Sequence, residues 1–358
     1  MNYTDQHKST LYSNPEVFQE VMLADIAVAR ESILLEVYRF RNDGVGLRLR
    51  DALVAKCREG VKVRLLLDSW GTDVPASFFS VITINGGEVR FFKKIKFFVD
   101  FFTKNHRRNH RKLLIIDDRV AYLGSSNITE YSLKWRELVV RVEGPVVLDL
   151  KKTFNDSYKI YRKYIFNKFA YKKIITNGEF EIVQDLPSIY RQIIKKRYEL
   201  IFSKARREIF IETPYFLPGF KLRKLMMLAA RRGVDVNVIM PLHSDVRSVD
   251  FLRGKYMEFY HKNNIKIHFF TLGNLHSKCV LVDNEIFAIG SANFDYRSFR
   301  YQHEIMLFGR NAEVITQLRA HIDQTIGMSI PFNYDTWRTR PLFEKIMGWL
   351  LTPFRHLF

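Results

Sequence analysis

Cysteine is nearly absent from this chain. Cys57 and Cys279 are the only two among 358 residues, too few and too far apart for a disulfide scaffold or a zinc-ligand cluster, so a reducing compartment is the simpler expectation. No uninterrupted apolar run reaches the roughly 18 residues that a membrane span needs. The opening stretch MNYTDQHKSTLYSNPEVF lacks the basic-then-apolar profile of a secretory leader. A soluble or peripheral protein is therefore expected. Acidic residues are also scarce: 38 stand against 57 lysines and arginines, giving a formal charge of +19. That balance favours a polyanionic partner, nucleic acid or an anionic membrane, and does not choose between them. What is plentiful is apolar: 47% hydrophobic content at ordinary charge density implies a packed globule with room for two domains or one duplicated one.

The chain is written twice. RNHRKLLIIDD (108–118) returns as LHSKCVLVDNE (275–285), and each copy runs histidine, any residue, lysine, four residues, aspartate. After six intervening residues, His110, Lys112 and Asp117 are followed by Gly124-Ser125-Ser126-Asn127; His276, Lys278 and Asp283 are followed at the same interval by Gly290-Ser291-Ala292-Asn293. Upstream, ARESILLEVY matches ARREIFIETPY and REGVKVRLLLD matches RRGVDVNVIMP, with an offset drifting from about 176 to about 166 residues. One unit reads as helix, buried strand, helix, buried strand, helix, strand and a hairpin carrying the histidine. Ser13-Asn14-Pro15 starts a helix running to about 31, and Ile33–Val37 and Val61–Leu67 are buried strands separated by a helix ending at Gly60. The alternation implies an α/β fold of two similar halves packed face to face; if they meet across a pseudo-twofold axis, both motifs surround one shared site. The halves are expected over 1–165, with the motif at 108–127, and 166–330, with the motif at 275–293, followed by an amphipathic tail over 331–358. The stretch 151–175 joins them, with Phe154, Tyr158, Tyr161 and Ile165 at helical spacing.

Strand residues two apart share a face, so each copy projects an imidazole and an ammonium together. The aspartates lie an odd number of residues away and are expected to face elsewhere, as structural or supporting groups. The glycine-serine segments add small neighbours with hydroxyl and amide groups, which permits close approach of an anion. Two histidines, two lysines and two asparagines around one point suit a phosphodiester. A duplicated core would repeat apolar positions; it has no reason to repeat paired cations.

These residues resemble the phospholipase D superfamily, whose mark is a duplicated H-x-K-x4-D followed by G-S/G-x-N; the likeness spans roughly 20–310. RNHRKLLIIDD, WRELVVRVEGPVV, ETPYFLPG and GSANFDYRSF are most similar to bacterial cardiolipin synthases, the short type without N-terminal membrane-spanning helices. The resemblance implies a phosphatidyltransferase that forms cardiolipin from phosphatidylglycerol and a second phospholipid through a phosphohistidine, with no metal or cofactor. It implies catalytic roles for His110, Lys112, Asp117, His276, Lys278 and Asp283, and phosphate binding by Ser125, Asn127, Ser291 and Asn293. His110 becomes the nucleophile and His276 the general acid/base, although near-symmetric halves leave that order open. Glu137 and Glu304, 10 and 11 residues beyond Asn127 and Asn293, match acidic positions that orient the histidines.

The same superfamily holds phospholipases that release phosphatidic acid, and nucleases. Two segments favour lipid over nucleic acid as the partner. RFFKKIKFFVDFF (90–102) mixes six phenylalanines with three lysines and one arginine. The tail PLFEKIMGWLLTPFRHLF (341–358) carries Phe343, Ile346, Met347, Leu350, Leu351 and Phe354 at helical spacing. Each reads equally as a membrane-facing element and as one packed on the protein. The expected address is the inner face of the cell membrane, on the cytoplasmic side; the oligomeric state stays open.

Overall fold

The computed structural model describes residues 7–92, 107–161, 173–188 and 190–357. Most of the 90–102 segment, Ile165 and the division at 165/166 fall outside them.

The first half contributes β1 (Lys8–Tyr12), β2 (Ser32–Val37), β3 (Lys62–Asp68), β4 (Glu88–Phe92), β5 (Arg108–Asn109), β6 (Leu113–Ile116), β7 (Val120–Gly124) and β8 (Val139–Glu143). Apart from β5 these form a mixed sheet in the order β1-β8-β7-β6-β2-β3-β4. The second half contributes β9 (Ile174–Asn177), β10 (Phe180–Asp185), β11 (Glu208–Glu212), β12 (Asp235–Pro241), β13 (Ile265–Phe270), β14 (Cys279–Val282), β15 (Ile286–Gly290), β16 (Gln302–Gly309) and β17 (Ser329–Pro331). Its sheet runs β17-β13-β12-β11-β14-β15-β16-β10-β9. The repeat is visible in the pairing: β2 lies parallel to β3 and antiparallel to β6, as β11 lies parallel to β12 and antiparallel to β14.

The first helix starts as its sequence requires, with the Asn14 Oδ1 accepting the N–H of Glu16 at 2.8 Å and Pro15 in the first turn. It ends at Ala27 rather than near 31. The reason is tertiary: the Asp117 carboxylate takes the backbone N–H groups of Arg30, Glu31 and Ser32, drawing that stretch into β2. The helix Gly44–Arg58 stops before Gly60, whose φ of 85° suits glycine.

Each sheet has an outer face covered by helices of its own half. Phe18, Met22, Leu49 and Leu53 pack against Leu35, Leu65 and Leu114 on one side; Tyr198, Phe202, Leu222 and Met226 pack against Ile211, Val238 and Val280 on the other. The inner faces share a third cluster, in which Leu113, Leu123 and Val140 meet Leu281, Ile289 and Leu307. Helices Val146–Ile160 and Ala312–Gly327 are built into this layer through Leu150, Phe154, Leu318 and Ile322. Each fully buried aliphatic side chain contributes roughly 1.5–3 kcal/mol, so the two halves hold each other by the same means that hold each one together. Backbone bonds add to the seam. β5 pairs in parallel with Gln302-His303 of β16, and Arg136 pairs with Leu275. The edge strand β1 bonds to the side chains of Glu313 and Gln317.

The tail folds back on the second half. Helix Leu342–Leu350 lies against Arg247–Gly254, where Phe343 meets Phe251 edge-on and Gly348 approaches the Phe251 carbonyl too closely for a Cβ. Leu351 packs on Leu217, Val249 and Leu252. The same helix turns Leu342 and Trp349 outward, each 70% exposed, together with Ile346 and Leu350.

Candidate active site

The histidines sit not in ladder strands but in short extended links, 110–112 between β5 and β6 and 276–278 before β14. Each link is gripped by the opposite half. His110 donates its backbone N–H to the His303 carbonyl, and His276 donates to the carbonyl of Arg136. The residue after each of those carbonyls is a glutamate, and it binds the ring of the same histidine. His110 Nδ1 lies 3.0 Å from Glu304 Oε1, and His276 Nδ1 lies 2.9 Å from Glu137 Oε1. The pairs therefore cross the seam: each half supplies the carboxylate for the other half's imidazole. With Nδ1 occupied, Nε2 is the atom left for chemistry on both rings.

Lys112 and Lys278 are buried beside these rings, each donating to the backbone carbonyl of its own histidine, at 2.7 and 2.5 Å. Asn127 and Asn293 are buried too, and neither Oδ1 has a partner among the described residues. The serines differ from expectation. Ser125 donates to Glu137 Oε2 at 2.5 Å and accepts from Leu138 N; Ser291 does the same for Glu304 and Ile305 N. Their hydroxyls hold the glutamates rather than waiting for phosphate. The glycine before each serine is needed for this approach, because a Cβ on Gly124 or Gly290 would lie 2.3 Å from the carbonyl of Leu138 or Ile305.

Asp117 and Asp283, grouped with the catalytic residues by resemblance, stand at the far end of their strands. Each occupies a turn at positive φ, 52° and 57°. Asp117 accepts the N–H groups of residues 30–32, and Asp283 those of 206–208. Their carboxylates fasten one strand's start to another's turn and do not reach the histidines.

Several neighbours escaped the sequence reading. Tyr38 packs edge-on against the His110 ring at 5.0 Å, with Lys112 Nζ 5.4 Å from the same phenol ring, and Trp135 lies 5.3 Å from His276. Behind the links, buried Glu36 bonds Asn109 and is charge-compensated by fully buried Arg111. In the second half Glu212 accepts from Ser277 and meets His321 Nε2 at 2.8 Å. Arg136, a donor only, approaches His321 Nδ1 at 3.3 Å, which makes Nδ1 an acceptor and leaves the proton on Nε2. Glu212, Cys279 and His321 have ligand atoms within 4.8 Å of one another. As a metal site they fit poorly: the Arg136 guanidinium stands against His321, and burial pushes the Cys279 thiol well above its usual range. Hydrogen bonds account for the cluster.

Burial sets the electrostatics. It holds the His110 imidazole well below its usual range, reinforced by Lys112, Lys278, His276 and Arg297, so that ring is neutral. It lowers Lys112 to about 7 and Lys278 to about 8. His276 is lowered by burial while Glu137 pulls it back up. Glu137 stays below the ordinary carboxyl range despite burial, held by His276, Lys278 and Ser125; burial pushes Glu304 up to about 8 against the pull of Lys112. The site is thus a buried, cationic cluster with one neutral ring and one ring buttressed by an ionised carboxylate. It suits an anion that exchanges a substituent by nucleophilic attack.

Comparison with known proteins agrees with this geometry. The family described as "Cardiolipin synthase, PLD-like domain" matches residues 22–158 and 200–326. The major cardiolipin synthase of Bacillus subtilis is 32% identical over 338 residues, covering 91% of this chain and 70% of that protein. Cardiolipin synthase 1 of Staphylococcus epidermidis is 31% identical over 369 residues, covering 98% and 74%. Among solved structures, the phosphatidylserine synthase of Haemophilus influenzae superposes with a TM-score of 0.74 at 12% identity, covering 98% of this chain and 95% of the other, and so shares the fold. The chain belongs to the cardiolipin synthase family of phospholipase-D-like proteins.

Proposed function

We propose that this phosphatidyltransferase makes cardiolipin from phosphatidylglycerol and a second phospholipid, in two displacements at one phosphorus. In the first, His110 Nε2 attacks the donor's phosphorus. The bond to the headgroup oxygen breaks, and His276 gives its Nε2 proton to the departing alcohol. In the second, the acceptor's hydroxyl passes its proton to His276, its oxygen bonds to phosphorus, and the phosphorus–nitrogen bond breaks. Lys112, Lys278 and the amides of Asn127 and Asn293 stabilise the non-bridging oxygens. The observation that carries this reading is the crossed pair of carboxylate–imidazole contacts, which leaves both Nε2 atoms free beside two buried ammonium groups. His110 is favoured as nucleophile because its ring is held neutral, while His276 leans on an ionised Glu137 that supports a positive ring.

Membrane engagement is part of the proposal. No helix among the described residues is long and apolar enough to cross a membrane. The outward row of Leu342, Ile346, Trp349 and Leu350 is suited to lie among acyl chains, with Lys345 and Arg355 at the headgroup level. Leu351 of the same tail packs on the cluster of Leu217, Val249 and Leu252 that Tyr215 and Tyr296 also touch, which supports a lipid-facing row on the second half.

The test is incubation with defined vesicles of phosphatidylglycerol, with and without phosphatidylethanolamine, and analysis of the lipids by mass spectrometry. Cardiolipin is the expected product. Phosphatidic acid alone would make the enzyme a hydrolase, and cleaved oligonucleotide without any lipid product would make it a nuclease.

A further inference from the structure

Around the buried centre the two halves stop being copies. The isolated pairings Phe40 with Ile128 and Phe216 with Phe294 put Arg39 in register with Tyr215, and Tyr131 with Arg297. Each half has one arginine and one tyrosine at these positions, in swapped order. In the first half the two residues touch: Arg39 donates from Nη1 to the Tyr131 hydroxyl at 2.5 Å. In the second, the Tyr215 hydroxyl turns instead to Asp245 Oδ1 at 2.6 Å. Arg297 lies by Gln302, whose amide, oriented to satisfy both of its ends, accepts from Arg297 Nε at 3.3 Å and donates to Glu304 Oε1 at 2.8 Å.

The swap brings both guanidinium groups to the His110 side. Arg39 stands 5.7 Å from the centre of the Tyr38 ring that packs on His110. Burial and Asp68 raise the Tyr38 phenol, and the charges of Arg39, Arg297 and Arg108 oppose that rise. Arg297 also bears on His110, and Arg39 on Lys112. Among the described residues neither Arg39 nor Arg297 forms an ion pair, and the enclosed Arg39 Nε has no partner at all. The opposing charge that bears on Arg39 is Asp245, and Arg297 bears on Asp295. Two guanidinium groups without an ion-pair partner beside a cationic centre repel that centre, a cost that an arriving anion removes.

In the second displacement the site must hold the phosphatidyl-histidine phosphorus and the acceptor's own phosphodiester together, and the histidines and lysines serve only the one that reacts. We infer that Arg39 and Arg297 bind the phosphodiester of the acceptor phospholipid, the anion that keeps its own phosphorus intact. The inference rests on the transferase reading, and it makes the acceptor side selective for an anionic lipid alcohol over a neutral one.

The experiment sets two acceptors against each other in the same phosphatidylglycerol vesicles: the lipid itself, giving cardiolipin, and free labelled glycerol, giving exchange of the donor's headgroup. Arg39→Gln and Arg297→Gln are expected to lower the ratio of cardiolipin formation to glycerol exchange by about tenfold each, the loss of one charge-assisted contact, with Arg39→Lys restoring part of it. Weaker membrane recruitment or a damaged donor site would lower both reactions together and leave the ratio unchanged. An unchanged ratio, from equal losses or from none, overturns the inference. Failure of the transferase reading looks different: the unaltered enzyme would form no cardiolipin.

Discussion

Replacing Glu137 by glutamine keeps the shape of the side chain and removes its charge. Glu137 belongs to the first half, yet the ring it touches is His276, at 2.9 and 3.0 Å. Burial, with the charges of Lys278 and Lys112, depresses that imidazole, and the Glu137 charge and hydrogen bond are what raise it. The substitution therefore lowers the His276 pKa further, leaving less of the ring protonated when the leaving alcohol needs a proton. The contact is buried and charge-assisted, a class worth about 1.5–3 kcal/mol, which corresponds to a loss of roughly 10- to 150-fold in kcat/KM. The sign is equally specific. Activity that depends on protonated His276 is present below its pKa and lost above it, so the alkaline limb of the kcat/KM profile moves to lower pH in Glu137→Gln. Glu304→Gln acts on His110 and should leave that limb in place. Rates of cardiolipin formation between about pH 5 and 9 decide the matter. If Glu137→Gln leaves the alkaline limb where it was, or if Glu304→Gln moves it equally, the crossed assignment is wrong.

Three further outcomes are expected. Because burial brings Lys112 to about 7, above the lowered His276, loss of its charge steepens a decline that His276 begins; in Lys112→Arg the decline should keep its onset and become shallower above about pH 7 even though the rate is reduced, and an unchanged slope would separate Lys112 from the pH dependence. Asp117→Ala removes the acceptor of three backbone N–H groups and should cost about 1–3 kcal/mol of stability in denaturant titration, while folded molecules keep most of their turnover; large loss of kcat at full stability would return Asp117 to the chemistry. Trp349→Glu on the exposed row should reduce co-sedimentation with phosphatidylglycerol vesicles by at least several-fold while glycerol exchange on detergent-dispersed lipid persists, and undiminished co-sedimentation would reject the row as a membrane contact.

The sequence made much of the arrangement legible because repetition is a strong statement about chemistry. Identical spacing of His, Lys, Gly, Ser and Asn marked the residues that the fold gathers, and the family resemblance pointed to Glu137 and Glu304. Which ring each glutamate serves was hidden, since the contacts span 139 and 194 residues of chain and depend on how two sheets dock. The serines misled for a related reason: a hydroxyl near a phosphate site reads as a phosphate ligand until a glutamate is found to occupy it. Asp117 and Asp283 travel with the motif because the hairpin needs them, a structural dependence that spacing cannot distinguish from catalysis. The first helix overran to 31 because nothing local announces that a carboxylate 85 residues further on claims the N–H of Ser32. Arg39 and Arg297 went unremarked because a search for matching residues passes over a pair that has traded places.

The crossing of Glu137 and Glu304 has a consequence for how such chains can change. Whatever drifts in one half is judged by the ring in the other, so the duplicated halves cannot wander apart as two independent genes would. A chimera that grafts the first half of one relative onto the second half of another would marry strangers at both glutamate–histidine contacts simultaneously. Its failures would map inherited compatibility between the halves, residue against residue, rather than the worth of either parent.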